Sequence, residues 1–139
     1  MEKIHELMDF NVGSARGRKV LLVSSCIVDN YPEIVKGFLN DGYLLLKACP
    51  EKTHINMIGY KLASVISYSR LDEITVLSVD GSFHCVQLQY IVEDIKKHFI
   101  NVRTRHLVLE RGRIFEVSEQ AVKTSRHIHK VEKLLRNSK

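Results

Sequence analysis

Two unbroken apolar runs on either side of a compact helix signal constrain this chain more than any other feature. The runs are VLLVSSC, at 20–26, and YLLLKAC, at 43–49. Each is continuous rather than alternating, which marks a strand covered on both faces. Between them Asp29 and Asn30 are good N-caps, Pro32 suits a first helical turn, and Glu33 favours the positive end of the helix dipole. Ile34, Val35, Phe38 and Leu39 form one apolar stripe and Gly42 is placed to close the C-terminus, so a helix is predicted over about 31–41. Strand, helix and strand in so short a span make a βαβ unit, whose crossover is almost always right-handed. The carboxyl ends of neighbouring parallel strands face one crevice, where ligands usually bind. Both runs end in a cysteine, so Cys26 and Cys49 are expected near each other at that end.

The pattern repeats downstream. After Cys49, Thr53 is a plausible N-cap for a helix burying Ile55, Ile58, Leu62, Val65 and Ile66. Gly59 and Ala63 share one of its faces and permit close approach of a neighbour, although a helical glycine costs about 1 kcal/mol against alanine. A third strand is predicted at 72–79. It ends in the turn DGSFHC, where Ser82 can cap a third helix at about 84–99. That helix buries Val86, Ile91, Val92, Ile95 and Phe99 and leaves Glu93, Asp94, Lys96 and Lys97 in water. HLVLERGRIFEVS then reads as a β-hairpin turning at Arg111 and Gly112. Ser118 caps a last helix, about 118–136, with Val122, Ile128, Val131 and Leu135 inward. Before the first strand, residues 1–19 read as a short amphipathic helix through Ile4, Leu7 and Met8, followed by a connector. Its NVGSARGRK segment has neither the spacing of a phosphate loop nor a strand before it. The expectation is an α/β fold, a three-layer domain over 20–139 with a mainly parallel sheet between helices and a C-terminal hairpin plus helix.

At 139 residues one domain buries roughly two-thirds of its unfolded surface without staples. With 45% hydrophobic and 27% charged residues the composition is that of an ordered globular chain. No apolar run approaches a membrane span and no secretory signal opens the chain, so a cytoplasmic protein without membrane contact is expected. The net charge of +5 allows an acidic partner. Lys123, Arg126, Lys130, Lys133 and Arg136 place much of it on the last helix, but few aromatics accompany them, so nucleic acid is the weaker option. A solvated basic face is the ordinary account of that surface, and oligomerisation is left open.

Three cysteines point to free thiols, metal or reactivity rather than a disulfide framework. A single cysteine is often just a small buried hydrophobe. Here Cys26, Cys49 and Cys85 each fall at or just beyond the end of a strand, and the same end each time. Thiolates bind zinc and iron–sulfur clusters, and imidazole can replace one of them. His54, five residues after Cys49, and His84, beside Cys85, are the candidates for a fourth ligand. A nucleophilic Cys85 at a helix start, assisted by a histidine, is a further reading. His127 and His129, two apart on a helix, diverge.

The order of Cys26, Pro32, Glu33, Gly42, Cys49 and Gly59 resembles the iron–sulfur delta subunit of methyl-viologen-reducing hydrogenases, which passes electrons towards heterodisulfide reductase. The likeness covers residues 26–60. Where that family has the second cysteine of a pair, this chain has His54. The resemblance implies a small accessory protein that carries electrons through an iron–sulfur cluster to a larger redox enzyme subunit, rather than a stand-alone enzyme. Cys26, Cys49 and Cys85 are then cofactor ligands, with zinc as an alternative to the cluster. The other reading is a module of the same fold that binds protein or a small ligand and carries no cofactor.

Overall fold

The run after Lys19 becomes a central strand because both of its faces are used. Val20 and Leu22 point into one cluster of buried side chains, and Leu21 and Val23 into another. In the computed structural model, which describes residues 3–138, this strand is β2 (Lys19–Ser24). It is flanked by β3 (Tyr43–Ala48) and β4 (Glu73–Val79), both parallel to it. The other strands are β1 (Ile4–Glu6), β5 (Arg103–Glu110) and β6 (Arg113–Val117), and the sheet order is β1-β3-β2-β4-β5-β6. All neighbours run parallel except β5 and β6, which form the expected hairpin. Arg111 and Gly112 both take positive φ, 51° and 77°, so the turn has the twist that favours a tight two-residue hairpin. On the outer strand, Glu116 makes a two-pronged pair with Arg105, which puts charge along an otherwise open sheet edge.

Helices cover both faces, and the protein is an α/β domain of three layers. α1 (Ser25–Asn30) and α2 (Pro32–Asn40) lie on the face of Leu21, Val23, Leu45 and Leu77. α3 (Ile55–Ser69) and α4 (Val86–Lys96) lie on the face of Val20, Leu22, Leu46 and Val76. Gly59 of α3 fits against Ile91 of α4: a Cβ there would come within 2.8 Å of the isoleucine side chain. The close approach read from Gly59 and Ala63 is therefore used, and its beneficiary is α4.

Several local expectations are corrected. The segment at 1–19 is not a helix and connector. Ile4–Glu6 pairs with β3 as an edge strand, Leu7–Asp9 forms a 3-10 turn, and Leu7, Phe10 and Ala15 are buried in the main core. Three apolar residues make too short a helical stripe to compete with the open hydrogen-bonding edge of β3. Met1, Glu2 and Lys139, and with them the first two positions of the expected helix, lie outside the described residues. The last helix is two: α5 (Glu119–Ser125) and α6 (Ile128–Asn137), broken at Arg126 and His127. Val122 is buried as expected and Val131 is half-buried, but Ile128 and Leu135 are exposed; α6 buries no residue fully, and Ile128 is 83% exposed. Periodicity showed an apolar stripe correctly, yet most of it, Ile128, Leu134 and Leu135, is left in solvent.

Candidate functional site

The connections from β2 to β3 and from β3 to β4 deliver the chain to opposite sides of β2. α1 and α2 lead to β3 on one side, and α3 then carries the chain over to β4 on the other. Between the carboxyl ends of β2 and β4, therefore, the helices change face, which opens a crevice where ligands bind in open α/β sheets. Two of the three cysteines meet there. Cys26 lies in the first turn of α1 rather than at a strand end, since β2 stops at Ser24. Cys85 is itself the N-cap of α4, which has no side-chain cap; the Ser82 hydroxyl, expected to cap this helix, instead accepts from the Cys85 N–H at 3.2 Å in the turn before it. Their sulfurs stand 3.6 Å apart. Cys26 also donates to the Ser24 hydroxyl at 3.5 Å. Both thiols are free.

Burial pushes the Cys26 thiol above its usual value of 9.0; the bond to Ser24 works against this, and the adjacent Cys85 sulfur adds to it. Beside the pair, Phe83 is 84% exposed, with the His84 ring packed edge-on against it at 5.3 Å.

Cys26 was expected to share a site with both Cys49 and Cys85, and the sulfur that meets it is that of Cys85. Cys49 directly follows β3, at the same end of the sheet, where its carbonyl accepts from Lys52 and Thr53 in a turn. No hydrogen bond joins its thiol to the pair. His54 rather than Thr53 caps α3, its Nδ1 accepting from the Asn56 N–H at 3.1 Å, so one ring nitrogen is spent on the helix end. Among the described residues, no group of three or more His, Cys, Asp and Glu side chains is gathered in a way that could hold a metal ion. The two sulfurs nevertheless fit as half of a ligand set, because two thiolates on a tetrahedral metal at about 2.3 Å stand roughly 3.8 Å apart.

One constellation escaped the sequence reading. Glu93, expected in water, is 3% exposed, and His106 in β5 is 1% exposed. His106 Nε2 lies 2.6 Å from Glu93 Oε2, and Nδ1 lies 2.7 Å from Gln89 Oε1. Gln89 in turn donates to Ser78 and to the Leu107 carbonyl. Thr104 bridges Glu93 to Glu119, which pairs with Lys96. Burial holds the His106 imidazole below its usual value, with the Glu93 contact opposing. The signal available was the four-residue spacing of Gln89 and Glu93, which puts both on one helix face.

A family model described as a Rossmann-like domain matches residues 13–139. The chain belongs to this family. Neither the curated proteins nor the solved structures yield a match. Membership of the Rossmann-like family agrees with the parallel sheet and its change of crossover side, and it places the two thiols where such sheets carry their ligands. It does not link the chain to the hydrogenase delta subunit, because a shared fold does not carry a function. No helix among the described residues is long and apolar enough to cross a membrane.

Proposed function

We propose that this chain is a redox or metal-binding accessory module whose working centre is the thiol pair of Cys26 and Cys85. The 3.6 Å approach of two free sulfurs in the crevice between β2 and β4 carries this reading. Thiols so placed supply two ligands to a soft metal. Cys49, from the neighbouring strand, and His54 or His84 are the residues that would complete a set for iron–sulfur or zinc, after side-chain movement. When bound, a cluster would supply one-electron transfer, and the exposed Phe83 beside Cys85 is an apolar contact point for a larger redox subunit. Electron transfer of the delta-subunit kind is the finer form of the proposal, supported by the resemblance over residues 26–60 alone.

Anaerobic purification with metal analysis and a visible spectrum tests it. The expected result is bound iron or zinc that is lost in both Cys26→Ser and Cys85→Ser. Replacing His54 by Ala should weaken metal retention tenfold or more if it ligates or supports a ligand. A colourless, metal-free protein whose cysteine variants are indistinguishable from it would sink the reading.

The cofactor-free interaction module has its own observation in its favour. α6 turns Ile128, Leu134 and Leu135 to solvent beside Lys130, Lys133 and Arg136, an apolar stripe flanked by positive charge. Reversing Arg126, Lys130 and Lys133 to Glu should slow association with an acidic partner and flatten its salt dependence. Unchanged association kinetics would leave that face as solvated surface.

A further inference from the structure

The C-terminal half of α4, α5 and the start of α6 line a cavity of about 310 Å³. Its walls carry Lys97, Lys123, Arg126, His127 and Lys130, and Glu93 lies in its lining. The site is remote from the thiols. It lies towards the amino end of β5, where Thr104 touches Glu93, not at the carboxyl ends that bear Cys26 and Cys85.

The proton inventory of the buried pair decides what this cavity wants. Gln89 spends its amide hydrogens on the Ser78 hydroxyl and the Leu107 carbonyl, so its Oε1 must accept, and His106 Nδ1 must donate to it. Nε2 and Glu93 Oε2, 2.6 Å apart, then share one proton. Wherever that proton sits, the pair is uncharged overall, and Oε1 of Glu93 remains a pure acceptor. That oxygen is buried and has no hydrogen-bond donor; its nearest cation, Lys123 Nζ, stands 3.8 Å away on an exposed side chain. Native structures rarely leave such an atom unanswered. Around it, Arg126 is committed to Asp94 at 2.8 Å and stacked on Tyr90. Lys97 reaches Asp94 at 3.8 Å. Lys130 makes no ion pair among the described residues, and Lys123 has only the long approach to Glu93. The cavity thus combines an uncharged floor that needs a hydroxyl with a rim holding uncompensated positive charge.

We infer that this cavity binds a small phosphorylated metabolite: its phosphoryl group draws the exposed Lys123 side chain off Glu93 to stand with Lys130, and a neighbouring hydroxyl takes the space so opened and donates to Glu93 Oε1, which is closed to solvent while Lys123 stands 3.8 Å from it. The volume is at the small end of ligand pockets, enough for a sugar phosphate. The hydroxyl answers the orphaned oxygen, and the dianion answers the lysines.

Ribose 5-phosphate, inorganic phosphate, ribose and AMP are the probes, titrated into the full chain by calorimetry and by amide NMR shifts. Ribose 5-phosphate is expected to bind saturably, with shifts confined to the end of α4 and the junction of α5 and α6. It should bind about tenfold or more tightly than inorganic phosphate, with ribose undetected. Comparable binding of AMP would mark a nucleotide as the source of the same chemistry, and its failure a free sugar phosphate. The double variant Lys123→Met, Lys130→Met, confined to exposed side chains, should lose binding at least tenfold. Glu93→Gln should reduce ribose 5-phosphate to the level of inorganic phosphate. No saturable shift in the cavity, equal binding of phosphate and ribose 5-phosphate, or full affinity in the lysine variant overturns the inference. If Glu93→Gln does not fold, the lysine variant alone decides it.

Discussion

The two ends of α4 are built on opposite principles. At its start, Cys85 faces Cys26 across 3.6 Å, and the pair has one further hydrogen bond, to Ser24. In its C-terminal half, Glu93 is enclosed by His106 and Thr104, and His106 in turn by Gln89. The thiols tolerate burial with few partners because sulfur is a weak hydrogen-bonding group. A carboxyl and an imidazole do not, since unpaired buried polar groups are costly. The difference teaches that the polar end holds the fold and leaves a single oxygen for a ligand, whereas the thiol end has its reactive atoms to spare.

The sharpest way to break this comparison is to remove one member of each pair. His106→Ala leaves the Glu93 carboxyl buried without its main partner and should cost about 3 kcal/mol or more in urea denaturation. Cys85→Ala should cost only about 1 kcal/mol. Equal losses would show that the thiols are as structural as the polar cluster.

A smaller effect is expected between the two ends, where Gly59 meets Ile91. Gly59→Ala gains about 1 kcal/mol of helix propensity. It also forces a carbon to within 2.8 Å of Ile91, an overpacking that costs more than that gain. A net loss of about 1 kcal/mol is expected by thermal or urea denaturation. A stabilised variant would mean that the half-buried Ile91 side chain swings aside to admit the methyl group.

The smallest effect is that of pH on the thiol end. The folded Cys26 pKa is raised above 9.0, so the native state keeps its proton where the unfolded chain has lost it. That contribution to stability is complete below about pH 9 and is lost as pH rises through the folded value. Alkylation of Cys26 by iodoacetamide, followed by mass spectrometry, should show a midpoint above pH 9 and a lower one after Cys85→Ala. A midpoint below 9 would mean that Cys26 is an activated nucleophile.

The sheet was legible because the runs at 20–26, 43–49 and 72–79 are apolar on both faces, which few structures other than a covered parallel sheet can use. The cysteines' common end followed from strand direction alone. Which two of the three sulfurs touch did not. Pairing Cys26 with Cys85 depends on which side of β2 each crossover takes, and no local spacing encodes that. The burial of Glu93 was hidden for a similar reason, as its partner His106 comes from a strand 13 residues on, and a glutamate beside Asp94 and Lys97 looks solvated. The break at Arg126 has a long-range accompaniment too, since that side chain is held by Asp94 and Tyr90 of α4.

Cys26 and Cys85 are 59 residues apart in the chain. A covalent bond between them would close a loop whose removal of unfolded-state entropy is worth about 4 kcal/mol. Read in the other direction, folding acts on these two sulfurs as a very high effective concentration. The folded protein is thus far easier to oxidise across this pair than its unfolded chain, and a bond once made would fasten the helices of one face of the sheet to those of the other.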